Sequence, residues 1–120
     1  MATRRVVVVG EMHRAADALR RAFGCEVEMV RPGDAVVEAL RRRPDLVALD
    51  LDALAARAGR LLGELRSNPE TQGVPAVGLT ARPDALEGVA PLGLDAVVAV
   101  RRDPEALVEL ARRWLGRVEG

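Results

Sequence analysis

The chain has no lysine, no isoleucine and no tyrosine, and only one residue each of cysteine, histidine, phenylalanine and tryptophan. All 18 basic residues are therefore arginine, they face 18 acidic ones, and the formal net charge is zero. Each shortage excludes something. A sequence-independent nucleic-acid binder, or a binder of anionic membranes, normally carries a basic excess, and none is present. A single cysteine, Cys25, leaves no intrachain disulfide, which excludes an oxidised extracellular scaffold. A lone His13 does not make a zinc site. The longest apolar run near the start, Val6 to Val9, is too short for a signal-peptide core or a membrane span, so a soluble, cytoplasmic chain is expected. The arginine-only usage is what a GC-rich codon bias produces. Its chemical consequence is that no mechanism here uses a lysine amine.

What is present describes a packed domain. The 120 residues are one domain's worth, read as a single unit over 1–120, and 49% apolar with 30% charged content excludes a disordered segment. Five short aliphatic runs recur, at 5–9, 26–30, 45–49, 74–79 and 95–100. Three of them (VVVV, LVAL, VVAV) are nearly unbroken and rich in Val, as strands buried on both faces of a parallel sheet are. Segments with helical spacing lie between them. The first places Ala15, Leu19, Ala22 and Phe23 on one face and stops at Gly24. The second starts at Pro32, Gly33 and Asp34 and ends in Arg41, Arg42 and Arg43 before Pro44, with arginines complementing the helix dipole. The third spans roughly 53–65, stopped by Asn68 and Pro69. A short fourth covers 82–92, weakened by Gly88 and Pro91. The last follows Asp103 and Pro104 as N-cap and first helical residue, with Leu107, Leu110, Ala111, Trp114 and Leu115 on one stripe. Strict alternation of strand and helix predicts a flavodoxin-like α/β three-layer sandwich. Its sheet holds five parallel strands joined by right-handed crossovers.

In such sheets ligands collect beyond the carboxyl ends of the strands. Those ends carry Gly10 and Glu11, then Asp50 and Asp52, then Thr80 and Ala81, then Arg101 and Arg102. An Asp directly behind buried Leu and Val has to be solvated, hydrogen-bonded or metal-bound. Asp50, Glu11 and Thr80 at one edge make a reasonable site for a hard cation and a phosphoryl group.

On these residues the whole chain resembles a response-regulator receiver domain, the phosphoacceptor module of two-component signalling. VVVVGE is similar to the family's first strand with its acidic pair, and PDLVALDLDAL to the third strand with the phosphorylatable aspartate. VPAVGLTA is similar to the fourth strand with its Thr/Ser-Ala ending, and GLDAVVAVRRDPEAL to the fifth strand and the entry to the last helix. The resemblance implies a strand order of 2-1-3-4-5. It implies Asp50 as phosphoacceptor, Thr80 as the switch hydroxyl, and a weakly held Mg²⁺ on Glu11, Asp50 and the backbone carbonyl of Asp52. It implies no enzyme of ordinary turnover. The implied partners are a sensor histidine kinase or phosphotransfer protein, and a downstream protein, effector domain or second copy. The departures are as telling. Gly10 replaces one acidic residue; Val100 and Arg101 replace the family's Lys-Pro, leaving Arg101 as the lysine substitute and no basis for a cis peptide. Val97 replaces the switch aromatic.

Two other readings stand beside this one. A phosphorylation-independent pseudo-receiver would keep the fold as a protein-interaction module, with Asp50 a strand-end turn residue and Glu11 a helix N-terminal acid. ALDLDAL is also similar to the Asp-x-Asp motif of haloacid-dehalogenase phosphatases, against which stand Ala53 and Leu54 after the motif, the absent lysine and the short chain. Elsewhere the plainest readings serve: Asp52 as a solvated or N-cap residue, His13 on an exposed helix, Cys25 as a small hydrophobe, Trp114 in packing, and Arg41 to Arg43 as a solvated helix end.

Overall fold

The computed structural model describes residues 3–82, 93–99 and 104–116. The expected fourth helix, and with it Val100, Arg101, Arg102 and Asp103, falls almost wholly outside these residues.

Strand β1 is Arg5–Val9, four of its five residues fully buried, as a valine run covered on both faces must be. Helix α1 (His13–Phe23) buries Ala15, Ala16, Ala18 and Leu19 and ends at Gly24, whose φ of 63° provides the left-handed turn. The Gly24 N–H closes the cap on the Arg20 carbonyl at 2.9 Å. Strand β2 is Glu26–Val30. The Pro32 start forms one 3-10 turn, Pro32–Asp34, before α2 proper (Ala35–Arg42). Strand β3 (Leu46–Asp50) runs one residue further than the aliphatic pattern indicated, and β4 is Ala76–Thr80 and β5 Ala96–Ala99.

The third helix is the clearest departure from the sequence pattern. It is broken into a single turn, α3 (Leu51–Leu54), and a longer α4 (Arg57–Ser67). The break lies at Ala55, with φ 49° and ψ −124°, a backbone state an L-residue holds only under constraint. Apolar periodicity alone does not reveal it, because Leu51, Leu54, Ala58, Leu61 and Leu62 are buried on both sides of the break. The last helix, α5, is Glu105–Leu115.

The strands pair in parallel in the order β2-β1-β3-β4-β5, as expected. Alternation along the strands divides the core. Val6, Val8, Leu46, Ala48, Val77 and Leu79 face α1 and α5, while Val7, Val9, Val47, Leu49 and Ala76 face α2, α3 and α4. Cys25 belongs to the first cluster, its thiol directed at the Leu19 carbonyl at 3.4 Å. Trp114 packs at that cluster's margin. No helix among the described residues is long and apolar enough to cross a membrane.

One small residue sets how closely the site-bearing turn packs. A Cβ on Gly78 would stand 2.6 Å from Leu51 Cδ1 and 3.0 Å from Leu94 Cδ1. Gly78→Ala is therefore expected to lower unfolding free energy by about 1–3 kcal/mol, the range for overpacking a tight interior. The measurement is a urea midpoint at unchanged m-value; an unchanged midpoint contradicts the packing. Burial also pushes the Cys25 thiol above its ordinary pKa. Alkylation of native protein at pH 8 is accordingly expected to be far slower than in urea, read by mass spectrometry, and equal rates would contradict a buried thiol.

Candidate functional site

Buried strands confine polar side chains to their ends, and the carboxyl edge of β1, β3 and β4 collects the ones that matter. Asp50 ends β3 half-buried and serves as the N-cap of α3, its Oδ1 accepting the Ala53 N–H at 3.2 Å. In the β3–β4 register Asp50 stands opposite Leu79, which places Thr80 one residue beyond it on the neighbouring strand. Thr80 is 1% exposed, a buried hydroxyl that must find a partner.

That partner is Asp52. The Thr80 hydroxyl donates to Asp52 Oδ1 at 2.6 Å, and the Ala81 N–H donates to Asp52 Oδ2 at 2.7 Å. The Arg82 Nε lies 4.0 Å from the same Oδ1, and the Arg82 N–H donates to Thr80 Oγ1 at 3.1 Å. Partial burial raises the Asp52 carboxyl; the two hydrogen bonds and the Arg82 guanidinium outweigh it and leave the group below its ordinary pKa. Asp52 is thus neither the N-cap, which is Asp50, nor a freely solvated acid. Its short side chain, two residues past the end of β3, reaches across to β4. Nothing in the sequence spacing specifies that reach. Arg82 was likewise missed as a site cation, and the only available signal was a basic residue directly behind the strand-end Thr80 and Ala81.

Gly10 has a positive role as well as a missing carboxylate. It adopts φ 122° and bonds its N–H to the Val30 carbonyl at 3.0 Å. A Cβ there would meet Asp50 Cβ at 2.7 Å and Asp50 Oδ2 at 3.2 Å. The end of β1 therefore lies directly against the Asp50 side chain in a way only glycine permits. Glu11 is exposed beside it. Among the described residues no three His, Cys, Asp or Glu side chains are grouped so as to hold a metal ion. The carboxylates at this edge are Asp50 and the exposed Glu11, donors that would suit a hydrated Mg²⁺ better than a fully dehydrated ion in a protein cage.

Of the residues expected at the site, Asp50, Asp52 and Thr80 share the edge, but Thr80 engages Asp52 and not Asp50. Arg101 lies outside the described residues. Val97 on β5 pairs with Gly78 of β4 and packs at the margin of the second core cluster, so no aromatic ring stands at that position. His13 is exposed at the start of α1.

Replacing Gly10 by aspartate, to complete the acidic pair, is expected to destabilise the protein by about 1–3 kcal/mol through the strained backbone and the contact with Asp50. The check is a thermal melt of Gly10→Asp, and an unchanged Tm contradicts the geometry.

No protein-family model matches the chain, and no curated protein sequence does either. Solved structures do. The receiver domain of sensor histidine kinase PA1611 from Pseudomonas aeruginosa PAO1, solved with magnesium coordinated in its active-site cleft, is 23% identical. The match covers 96% of this chain and 99% of that one, at a TM-score of 0.77. The chemotaxis protein CheY4 of Vibrio cholerae is 19% identical over 95% of this chain and 100% of its own, at 0.76. The phosphorylated cyanobacterial phytochrome response regulator RcpA is 22% identical over 95% of both chains, at 0.71. Strand order, crossover pattern and full-length overlap agree: this chain has the fold of a response-regulator receiver domain.

Proposed function

We propose that this chain is a receiver module of two-component phosphorelay signalling, with Asp50 as the phosphoacceptor. The observation that carries the reading is the placement of a half-buried carboxylate, Asp50, at the end of β3, in a register with Leu79 that brings it to the same sheet edge as Thr80 at the end of β4. In the reaction, an Asp50 carboxylate oxygen forms the bond to phosphorus as the bond from phosphorus to the donor breaks. The donor is a phosphohistidine of a sensor kinase or phosphotransfer protein, or a small acyl phosphate. The donor group leaves with the electron pair, and the product is an acyl phosphate. The protein's contribution is position and charge neutralisation. Thr80 Oγ and Ala81 N–H are the neutral donors for phosphoryl oxygen, and Arg82 and Arg101 are the cations that stand in for an ammonium.

Asp50, Glu11 and the backbone carbonyl of Asp52 would hold a weakly bound Mg²⁺, which would supply positive charge to offset that of the carboxylate and the phosphoryl group. Without such charge, two anions about 4 Å apart repel by roughly 4 kcal/mol at an effective dielectric near 20. Output follows a route other than a Thr–aromatic relay, because residue 97 is valine. The α5 face is the proposed docking surface for a downstream protein or a second copy. There the Arg113 guanidinium lies 5.4 Å from the Trp114 ring centroid and Arg112 lies 5.7 Å from that of Phe23.

The rival reading is a phosphorylation-independent interaction module. It is favoured by one specific observation, the occupation of both Thr80 and Ala81 donors by a carboxylate of the chain itself. The two are separated by adding beryllofluoride with millimolar Mg²⁺ and following backbone amide shifts. Shifts at Thr80 and Ala81 that Asp50→Asn abolishes are expected; an unresponsive wild-type spectrum overturns the phosphoacceptor reading.

A further inference from the structure

Thr80 and Ala81 each have one hydrogen to give. A threonine hydroxyl donates once, and a backbone amide donates once. Both are already given to Asp52, at 2.6 and 2.7 Å, in a two-pronged contact that uses both carboxylate oxygens. Among the described residues the other acceptor recorded for the Thr80 hydroxyl is the Arg82 carbonyl at 3.4 Å, well beyond the shorter contact. Bonds from neutral donors to an ionised carboxylate are among the stronger hydrogen bonds of proteins. Thr80 is 1% exposed, so water is poorly placed to take over its proton when Asp52 leaves.

Resting on the phosphoacceptor reading of Asp50, we infer that the Asp52 carboxylate is a built-in competitor for the phosphoryl seat. It occupies the donor pair that a phosphoryl group on Asp50 has to use, and loading of Asp50 proceeds only as Asp52 swings out. Three structural features favour a removable occupant over a structural tie. Asp52 lies on the rim of the site, with its side chain 34% exposed. It belongs to α3, a single turn ended by the strained Ala55, and not to a long helix. The nearby Arg82, with a side chain 68% exposed and its Nε at 4.0 Å, is free to follow the carboxylate outward or to stay with the incoming anion. The contact therefore sets the threshold of the module: a weak or dilute donor meets an occupied seat, whereas an abundant or kinase-bound one displaces the occupant.

The test is a beryllofluoride titration at fixed Mg²⁺ on the wild type, Asp52→Ala, Asp52→Asn and Asp50→Asn, with amide spectra to show that each variant is folded. Asp52→Asn keeps the shape of the side chain, so the comparison survives should the alanine variant fold poorly. Both Asp52 variants are expected to respond at a beryllofluoride concentration on the order of tenfold lower than wild type, as loss of a charge-assisted competitor implies. The gain persists in molar salt, where the through-space effect of deleting one carboxylate is screened. Before any ligand is added, the Ala81 amide proton of both variants shifts from its wild-type position.

Equal midpoints for wild type and variants, or a gain that disappears in high salt, overturn the competitor role while leaving Asp50 as acceptor. An Ala81 amide unmoved by either substitution overturns the contact itself. If no protein in the series responds, the phosphoacceptor reading falls, and the competitor role falls with it.

Discussion

Everything at the proposed site depends on the parallel pairing of β3 with β4. The register Asp50 opposite Leu79 brings the ends of two buried strands to the same level. Because both strands are sealed by apolar neighbours, the first residues able to carry charge or a side-chain hydroxyl are Asp50, Asp52 and Thr80. Parallel strands end on the same edge, so these groups meet there with no dedicated loop to hold them. Gly78 extends the same logic one layer down. Its missing side chain lets Leu51 lie against β4, which draws the turn carrying Asp52 toward Thr80.

The arginine-only composition shapes the molecule in a consistent way. Arg66 on α4 reaches the carbonyls of Gln72 and Val74, at 2.9 and 2.6 Å, and the Asp95 carboxylate at 3.1 Å. Asp95 in turn accepts the Ala76 N–H at 2.7 Å, so one guanidinium fixes where β4 begins and where β5 approaches it. A planar fork with several donors suits that task better than an ammonium. Other ion pairs among the described residues, such as Arg20 with Asp17 or Arg41 with Glu38, are helix-surface contacts of small energetic weight. At the site itself the substitution cuts the other way. The cation beside Asp52 is the bulky, largely exposed Arg82, its Nε 4.0 Å from the carboxylate.

Much of this was legible in the sequence. Val6 to Val9 and Leu46 to Leu49 announce buried parallel strands because period-free aliphatic runs bounded by polar residues have few other uses. Gly24 marks the end of α1 because the required left-handed turn excludes most other residues. Asp50 and Thr80 stand out as polar residues at the ends of such runs. The break at Ala55 was not legible, since alanine is the best helix former and nothing local requests a positive φ. Nor was the Asp52 contact, because it joins residues 28 apart through a register that only the folded sheet defines. Gly10 looked like a lost carboxylate; only its 122° φ and its closeness to Asp50 show what the glycine provides.

The account turns on whether Asp50 forms an acyl phosphate. The most direct measurement is incubation with acetyl phosphate and Mg²⁺, followed by reductive trapping of the acyl phosphate and peptide mapping. The account predicts one trapped site, in the peptide containing Asp50, and its loss in Asp50→Asn. A trapped site at Asp52 or Glu11, or none in protein shown to be folded, would contradict it.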